Sequence, residues 1–449
     1  MQGDCPLLDN RSFIGSVDHC NLEDQVMINQ HYFKNKKVTV VGLGRSGFAC
    51  ARLLHNLGAR VSVTEKEDNE QVSAYAQQLP SAVKRELGRH TQEFIRGQDL
   101  VVVSPGVVNR SEPVVWANQS GTRVIGEIEC AWMLCAGTVI AITGTNGKTT
   151  AATLIGKVLE SAGKRVFILG NIGTPFCAYV DEIQSGDFVS LEVSSFQLET
   201  IKSFKPKISV ILNFKPDHLD RYAGLGEYFS AKTRIFMNQD ETDYLVLNYD
   251  DALVKGLAKE ASARVVYFDG RMHSNPDFAA ATAVASVLGI GADLCKEVFR
   301  SFSGLPHRLE RVLTFQDREF INDSKATNLD ATAFALLNTK KPVILIAGGR
   351  DKGIDYADIR DLVCKRVKCL VLIGESKDKI KQVYQTGLPV REAPGLEEAV
   401  KIAFRESLPG DCILFSPMCS SFDMFRNYEH RGEVFKEAVK KLAEGHATA

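Results

Sequence analysis

The run ITGTNGKTT, Ile142 to Thr150, has the makings of a phosphate-binding loop. Gly144 and Gly147 flank Thr145 and Asn146, and Lys148 is followed by Thr149 and Thr150. The general P-loop pattern sets its first glycine where Ile142 stands, so the match is partial and the loop reads as shortened. The physics still favours phosphate. Backbone N–H groups of Thr145 to Lys148 at a helix N-terminus can cradle anionic oxygens, Lys148 adds a point charge, and the Thr149 hydroxyl can reach a magnesium ion. The plain alternative is a glycine-rich turn between a strand and a helix.

An ATP site needs a second magnesium ligand, and DFVSLEVSSFQLE delivers Glu192 at the end of an apolar run. A strand-end glutamate in an ordinary ion pair is the bland reading of the same residue. NFKPDHLDRY then gathers Asp217, His218 and Asp220, a set suited to a second metal or a substrate contact, although a lone histidine is more often structural. Lys232, in YFSAKTRIF, reads by default as a solvated lysine on an amphipathic face. Earlier in the chain, Gly42, Gly44 and Gly47 have G-x-G-x-x-G spacing, with Glu65 after the next apolar run. That turn places a pyrophosphate on a helix N-terminus, and by itself it is a weak pointer to NAD.

Chemistry of this kind has to sit at the C-terminal ends of strands, and the pattern supplies them. Residues 1–36 read as a loosely patterned extension. Residues 37–128 carry KVTVV, a glycine turn, a helix and then DLVVVSPGV, the outline of a Rossmann-like unit. Residues 129–303 alternate TVIAIT, RVFILG, DFVSLEV, KISVILNF and YLVLN with helical stretches, which predicts a parallel sheet wrapped by helices. Residues 304–449 repeat the design with EFINDSKATN, KPVILIAGGRDKG, VKCLVLIGES and DCILFSPMCSSF, each running from an apolar strand into a polar turn. GLPHRLERV, 304 to 312, reads as the connector. The expected fold is therefore α/β in three domains, each with a mostly parallel sheet and flanking helices: Rossmann-like, P-loop ATPase-like and again Rossmann-like.

Composition narrows the class. With 54 Lys plus Arg against 55 Asp plus Glu, nothing in the charge favours nucleic acid or a membrane surface, so the partners are expected to be small molecules. Eleven cysteines without a CxxC pair suit a reduced compartment and argue against a zinc site. No signal peptide and no 18-residue apolar span is present in the sequence, so a cytoplasmic protein is expected.

GTNGKTT, GNIGTP, LEVSSFQLE, DHLDRY, AKTRIF, GLPHRLE and INDSKATN, in this order, resemble the Mur ligase family, the ATP-dependent amide-forming enzymes of peptidoglycan precursor synthesis. The likeness spans about 38 to 435. SSFQLE and SPMCSSFDMFRNYEHRG look most like the D-glutamate-adding member, and the aspartate-asparagine-proline motif of the diamino-acid-adding relative is not seen. The resemblance implies UDP-N-acetylmuramoyl-L-alanine, D-glutamate and ATP as substrates, two magnesium ions, and a monomer. Carried over by motif, Lys148 would hold the γ-phosphate within the loop Gly144, Thr145, Asn146, Gly147, Lys148, Thr149 and Thr150. Thr149 and Glu192 would bind one magnesium, and His218 the second. Lys232 aligns with a lysine that is carbamylated in the family and faces that second metal. Arg45, Ser46, Glu65, Lys66, Ser104, Pro105, Gly106 and Asn171 would hold the UDP end, and Ser194 would also lie on the substrate side. His307, Arg308, Asp323 and Lys325 look like nucleotide-side contacts. Thr327, Lys352, Ser421 and Phe422 look like the acceptor pocket, where a cation and hydroxyls suit a carboxylate. Two departures stand out: TEKE replaces an expected aspartate near Glu65, and HSNPD puts Ser274 and Asp277 where asparagines near the adenine are expected.

Three other readings compete. Folylpolyglutamate synthase shares the loop and the acyl-phosphate logic but is expected to lack the first glycine-turn unit. An NAD(P)-binding oxidoreductase would explain that turn and leave the phosphate loop and Glu192 unused. A P-loop regulatory protein without turnover would not need so many polar groups at strand ends.

Overall fold

The computed structural model describes residues 31–171, 173–217 and 221–447. His218, Asp220 and most of the 1–36 extension lie outside the described residues. Three sheets follow one another along the chain. The first has strands β1 (Lys37–Val41), β2 (Arg60–Glu65), β3 (Lys84–Leu87), β4 (Leu100–Val103) and β5 (Arg123–Gly126), in the order β3-β2-β1-β4-β5, all parallel. The sequence runs VTVV and LVVV are buried on both faces because helices cover both sides, as a parallel sheet requires. The chain reverses its direction of winding between β1 and β4, and the loops after these two strands diverge to leave a crevice.

The second sheet holds β6 (Thr138–Thr143), β7 (Val166–Gly170), β8 (Phe188–Glu192), β9 (Ile208–Ile211), β10 (Tyr244–Asn248) and β11 (Arg264–Phe268), in the order β11-β10-β9-β6-β8-β7. The motif reading anticipated the first five of these strands; β11, with its half-buried RVVYF, went unnoticed. The register sets Ile142 of β6 opposite Glu192 of β8, and Gly170 of β7 opposite the same glutamate. Glu192 is thereby carried to the level of the loop that follows β6.

The third sheet contains β12 (Glu310–Phe315), β13 (Arg318–Asn322), β14 (Val343–Gly348), β15 (Val367–Ile373), β16 (Val390–Glu392) and β17 (Cys412–Phe415), in the order β12-β13-β17-β14-β15-β16. It is parallel except at one edge, where β12 and β13 form an antiparallel hairpin through Gln316 and Asp317, both at positive φ (46° and 58°). Two successive positive φ values give the twist that such a two-residue turn needs. The segment expected as a connector at 304–312 therefore ends as an edge strand. The α/β class with parallel sheets and flanking helices is what the structure has. No helix among the described residues is long and apolar enough to cross a membrane.

Candidate active site

The loop after β6 gets its shape from glycine and from a residue far away in sequence. Gly144 (φ 155°) and Gly147 (φ 85°) take conformations that a side chain disfavours, and Gly147 caps the helix Lys148–Ser161. Asn213, just past β9, accepts the N–H groups of Thr145 (3.1 Å) and Asn146 (2.9 Å) on Oδ1 and donates Nδ2 to the Asn146 carbonyl at 3.1 Å. Two of the four amides expected to face phosphate are thus engaged in holding the loop. The cradle falls instead to amides from Gly147 onward and to the first helical turn, whose N–H groups have no intrahelical acceptors.

Two lysines converge on this loop. Lys148 Nζ donates to the carbonyls of Gly144 (2.9 Å) and Thr145 (2.8 Å), and Lys232 Nζ donates to the same Gly144 carbonyl at 2.8 Å. Lys232 is 2% exposed, so the solvated-lysine reading does not hold. Burial, reinforced by the charge of Lys148, pushes its ammonium well below the usual lysine range; burial also lowers Lys148.

Glu192 lies beneath the loop. Its Oε2 accepts the Thr149 hydroxyl at 2.7 Å and its Oε1 accepts Asn171 Nδ2 at 3.1 Å. Gly170 makes the second contact possible: a Cβ there would lie 2.1 Å from the Glu192 carbonyl, which Asn171 N–H reaches at 2.9 Å. The Thr149 and Glu192 oxygens form a hard, all-oxygen donor pair. Their separation approaches the edge of about 3 Å in an octahedron with metal–oxygen bonds near 2.1 Å, so the residues present fit magnesium. Ser194, two residues on, caps the short helix Ser195–Leu198 and accepts Gln197 N–H at 3.3 Å.

The third unit reaches into the same place. Arg308 donates to Thr149 Oγ1 at 2.6 Å. Asp217 accepts Lys352 Nζ at 3.1 Å on one oxygen and Asn328 Nδ2 at 3.1 Å on the other, and Asn328 also reaches Asn146 Oδ1 at 3.2 Å. Lys352, assigned by motif to an acceptor pocket, is thus bound across to the second unit. Asp323, after β13, accepts Ser416 Oγ at 2.9 Å and Leu309 N–H at 3.1 Å, and burial raises it to about 7. Lys325 stands 3.6 Å over the Tyr428 ring, and burial lowers it to about 7. His307 is buried within the third unit, its Nδ1 2.9 Å from Asn322 Nδ2. Thr327 lies half-buried between Lys325 and Asn328. Ser421 is buried and Phe422 exposed in the loop after β17, which the fully buried Arg431 supports through the carbonyls of Cys419 and Ser420, each at 3.1 Å. Asp277, one of the two departures, packs on the phosphate loop: a Cβ on Gly147 would come within 2.1 Å of its Oδ1. Burial raises that carboxyl to about 7.

At the crevice of the first sheet lies a cavity of about 620 Å³. Arg45, Ser46, Glu65, Lys66, Ser104, Pro105, Gly106 and Asn171 all line it, together with His90, Ser111 and Gln197, which carried no motif signal. Glu65 is partly committed to the glycine turn, accepting Leu43 N–H at 2.6 Å. Arg45 donates to the Gly173 carbonyl at 3.3 Å, linking the first unit to the second. Sequence reasoning also missed Asn213, Arg431 and Tyr428, each of which acts on a partner distant along the chain.

The chain matches three family models: Mur ligase MurD-like N-terminal domain over residues 36–126, Mur ligase middle domain over 142–293, and Mur ligase glutamate ligase domain over 307–419. It is 40% identical over 446 residues to a UDP-N-acetylmuramoylalanine--D-glutamate ligase from Caldanaerobacter subterraneus subsp. tengcongensis, covering 91% of this chain and 99% of that one. The enzyme of the same name from Geotalea uraniireducens is 41% identical, with 92% and 98% covered. Among solved structures, the UDP-N-acetylmuramate-alanine ligase of Thermotoga maritima superposes with a TM-score of 0.60 at 17% identity, covering 91% of this chain and 100% of that one, a likeness of fold.

Proposed function

The chain belongs to the Mur ligase family, and from that premise we propose how its residues perform the ATP-dependent joining of D-glutamate to the L-alanine carboxylate of UDP-N-acetylmuramoyl-L-alanine, a step of peptidoglycan precursor synthesis. The observation that carries the reading is Asn171, which lines the cavity of the first unit and bonds Glu192 under the phosphate loop. It brings the acyl end of a nucleotide sugar and the γ-phosphate of ATP to one point.

A carboxylate is a poor electrophile. Its oxygen attacks the γ-phosphorus, ADP leaves, and the resulting acyl phosphate accepts the amine of D-glutamate; phosphate departs from the tetrahedral adduct. Lys148 and the first-turn amides of its helix hold the γ-phosphate, while Arg308, already on Thr149, adds charge from the third unit. Thr149 and Glu192 would hold one magnesium ion and His218 would help hold a second; metal bound there neutralises charge on the phosphate oxygens. Arg45, Ser46, Lys66 and the Ser104–Gly106 turn bind the UDP end, and Ser194 faces the acyl end. His307, Asp323 and Lys325 serve the nucleotide side. Thr327, Lys352, Ser421 and Phe422 hold D-glutamate, Lys352 offering its side-chain carboxylate an ammonium. Fixing the amine beside the acyl phosphate removes an entropic cost that reaches roughly 7–11 kcal/mol.

Lys232 acts as a carbamate. A neutral amine attacks carbon dioxide, an N–C bond forms and a proton leaves; burial beside Lys148 favours that neutral amine. The product replaces a cation by an anion able to face the second metal. Carbon-13 bicarbonate should give one carbamate resonance in the wild type and none in Lys232→Ala; a fully active Lys232→Ala enzyme, indifferent to bicarbonate, would rule the carbamate out. The enzyme works as a cytoplasmic monomer.

The deciding assay is phosphate release with magnesium, ATP and UDP-N-acetylmuramoyl-L-alanine, offering D-glutamate, L-glutamate, L-lysine and meso-diaminopimelate separately. Release with D-glutamate alone is expected. Release with another amino acid would move the acceptor assignment, and silence with all four would discard the ligase reading.

A further inference from the structure

Cysteine spacing argued against a thiolate site, because the sequence holds no CxxC pair. The fold supplies the closeness instead. Cys50 on the helix Arg45–Asn56, Cys130 on the helix Glu127–Trp132 and Cys177 in the turn Phe176–Ala178 meet where the first and second units join. Their sulfur atoms lie within 4.8 Å of one another, with Cys50 Sγ 3.9 Å from Cys130 Sγ, and all three side chains are buried. Beside them stands Glu127, 2% exposed. Its Oε1 accepts the Cys177 N–H at 2.7 Å, and its Oε2 has no hydrogen-bond partner among the described residues.

Cysteines often pack simply as small hydrophobic side chains. Apolar packing accounts for three buried thiols and leaves the carboxylate unexplained, since a buried carboxylate oxygen without a donor is costly. A tetrahedral zinc site with Zn–S bonds near 2.3 Å has sulfur–sulfur edges of about 3.8 Å, close to the 3.9 Å between Cys50 and Cys130.

We propose that Cys50, Cys130 and Cys177 form a structural thiolate site for a thiophilic divalent cation, zinc, at the junction of the first two units, with the Glu127 carboxylate beside it as an outer-shell partner. Binding forms three metal–sulfur bonds and expels to water the protons that the thiols carry; no electron is transferred. The ion ties together three segments around the substrate cavity. Cys50 shares a helix with Arg45 and Ser46, Cys177 follows the loop bearing Asn171 and Gly173, and Cys130 belongs to the helix that joins the units. Because the ligands are buried, the metal enters during folding or when the first unit swings away from the second.

The test uses the full chain produced in zinc-supplemented medium, dialysed against a weak chelator and analysed for metal, with a parallel sample refolded in cadmium chloride. The expected result is one zinc per chain, a thiolate-to-cadmium charge-transfer band in the ultraviolet, and an unfolding midpoint that falls when the metal is stripped. Cys130→Ser and Cys177→Ser should abolish both retention and band. Glu127→Gln, which keeps all three thiols, should keep the band and weaken zinc binding by the roughly 10- to 100-fold typical of losing an outer-shell partner. Wild-type protein that retains no metal and shows no band after refolding overturns the proposal without recourse to any variant. Retention unchanged in the serine variants places the ion elsewhere and overturns it too, as does a disulfide that consumes two of the three thiols in metal-supplemented, reduced protein.

Discussion

Glu192 and Asp323 are both buried carboxylates at strand ends, yet they are held in opposite ways. Glu192 is met by a threonine hydroxyl and an asparagine amide, groups that a cation can replace or join, which suits its proposed part as a magnesium ligand. Glu192→Gln should keep the fold and cost about 10²–10³ in kcat, the scale set by removing one transition-state stabiliser; steady-state phosphate release against magnesium concentration checks it, and an unchanged magnesium dependence would remove Glu192 from the metal site. Asp323 is raised to about 7 by burial. A carboxyl whose folded pKa exceeds its unfolded value, near 3.9, contributes stability fully present below about pH 4 and lost as pH rises to about 7. Asp323→Asn should therefore raise the unfolding midpoint at pH 8 by roughly 2–4 °C or more, and leave it unchanged near pH 4. Calorimetry at the two pH values reads the difference, and a gain of equal size at both would show that packing, not ionisation, is responsible.

Turns after strands were the most legible elements, because glycine and β-branched runs write them directly. Gly42, Gly44 and Gly47 open the first helix as their spacing predicts, and the structure separates their tasks. A Cβ on Gly47 would fall 1.9 Å from the Gly42 carbonyl and 2.7 Å from Ser104 Oγ, whereas a Cβ on Gly44 meets nothing within 4 Å. Gly47→Ala should cost about 1–3 kcal/mol or more of stability through overpacking. Gly44→Ala should leave denaturant unfolding unchanged and weaken the UDP substrate, since Gly44 lines the cavity. Equal destabilisation by the two would refute this division. What stayed hidden was long-range support. Asn213 is one polar residue after a strand, Arg431 one arginine in a helix, and Lys232 one lysine among many; no local pattern states that the first grips the phosphate loop, that the second is fully buried, or that the third is enclosed. The cysteine trio is the extreme case, with Cys50 and Cys130 80 positions apart along the chain.

At the scale of the molecule, the second and third units meet through charge. Lys352 pairs with Asp217, Arg308 with Thr149, and Asn328 bridges Asp217 and Asn146, so the third unit is latched to the phosphate loop by polar groups rather than by a shared apolar core. Polar interfaces between units open more readily than apolar ones, and closing on ATP would gather reactants and exclude water. Lys352 then has two tasks, since its side chain is only 10% exposed in the latch and is proposed to hold the acceptor carboxylate. Removing one partner of a buried pair leaves the other charge uncompensated. Lys352→Met should accordingly loosen the latch, seen as a larger radius of gyration in solution scattering without nucleotide, and raise the KM for D-glutamate by roughly 10- to 100-fold, the worth of one hydrogen bond to a charged group. Asp217→Asn separates the tasks: it weakens the latch and frees the ammonium, so the scattering radius grows while the KM for D-glutamate stays level or falls. If both variants raised that KM equally, closure alone would set acceptor affinity, and Lys352 would have no direct part in holding D-glutamate.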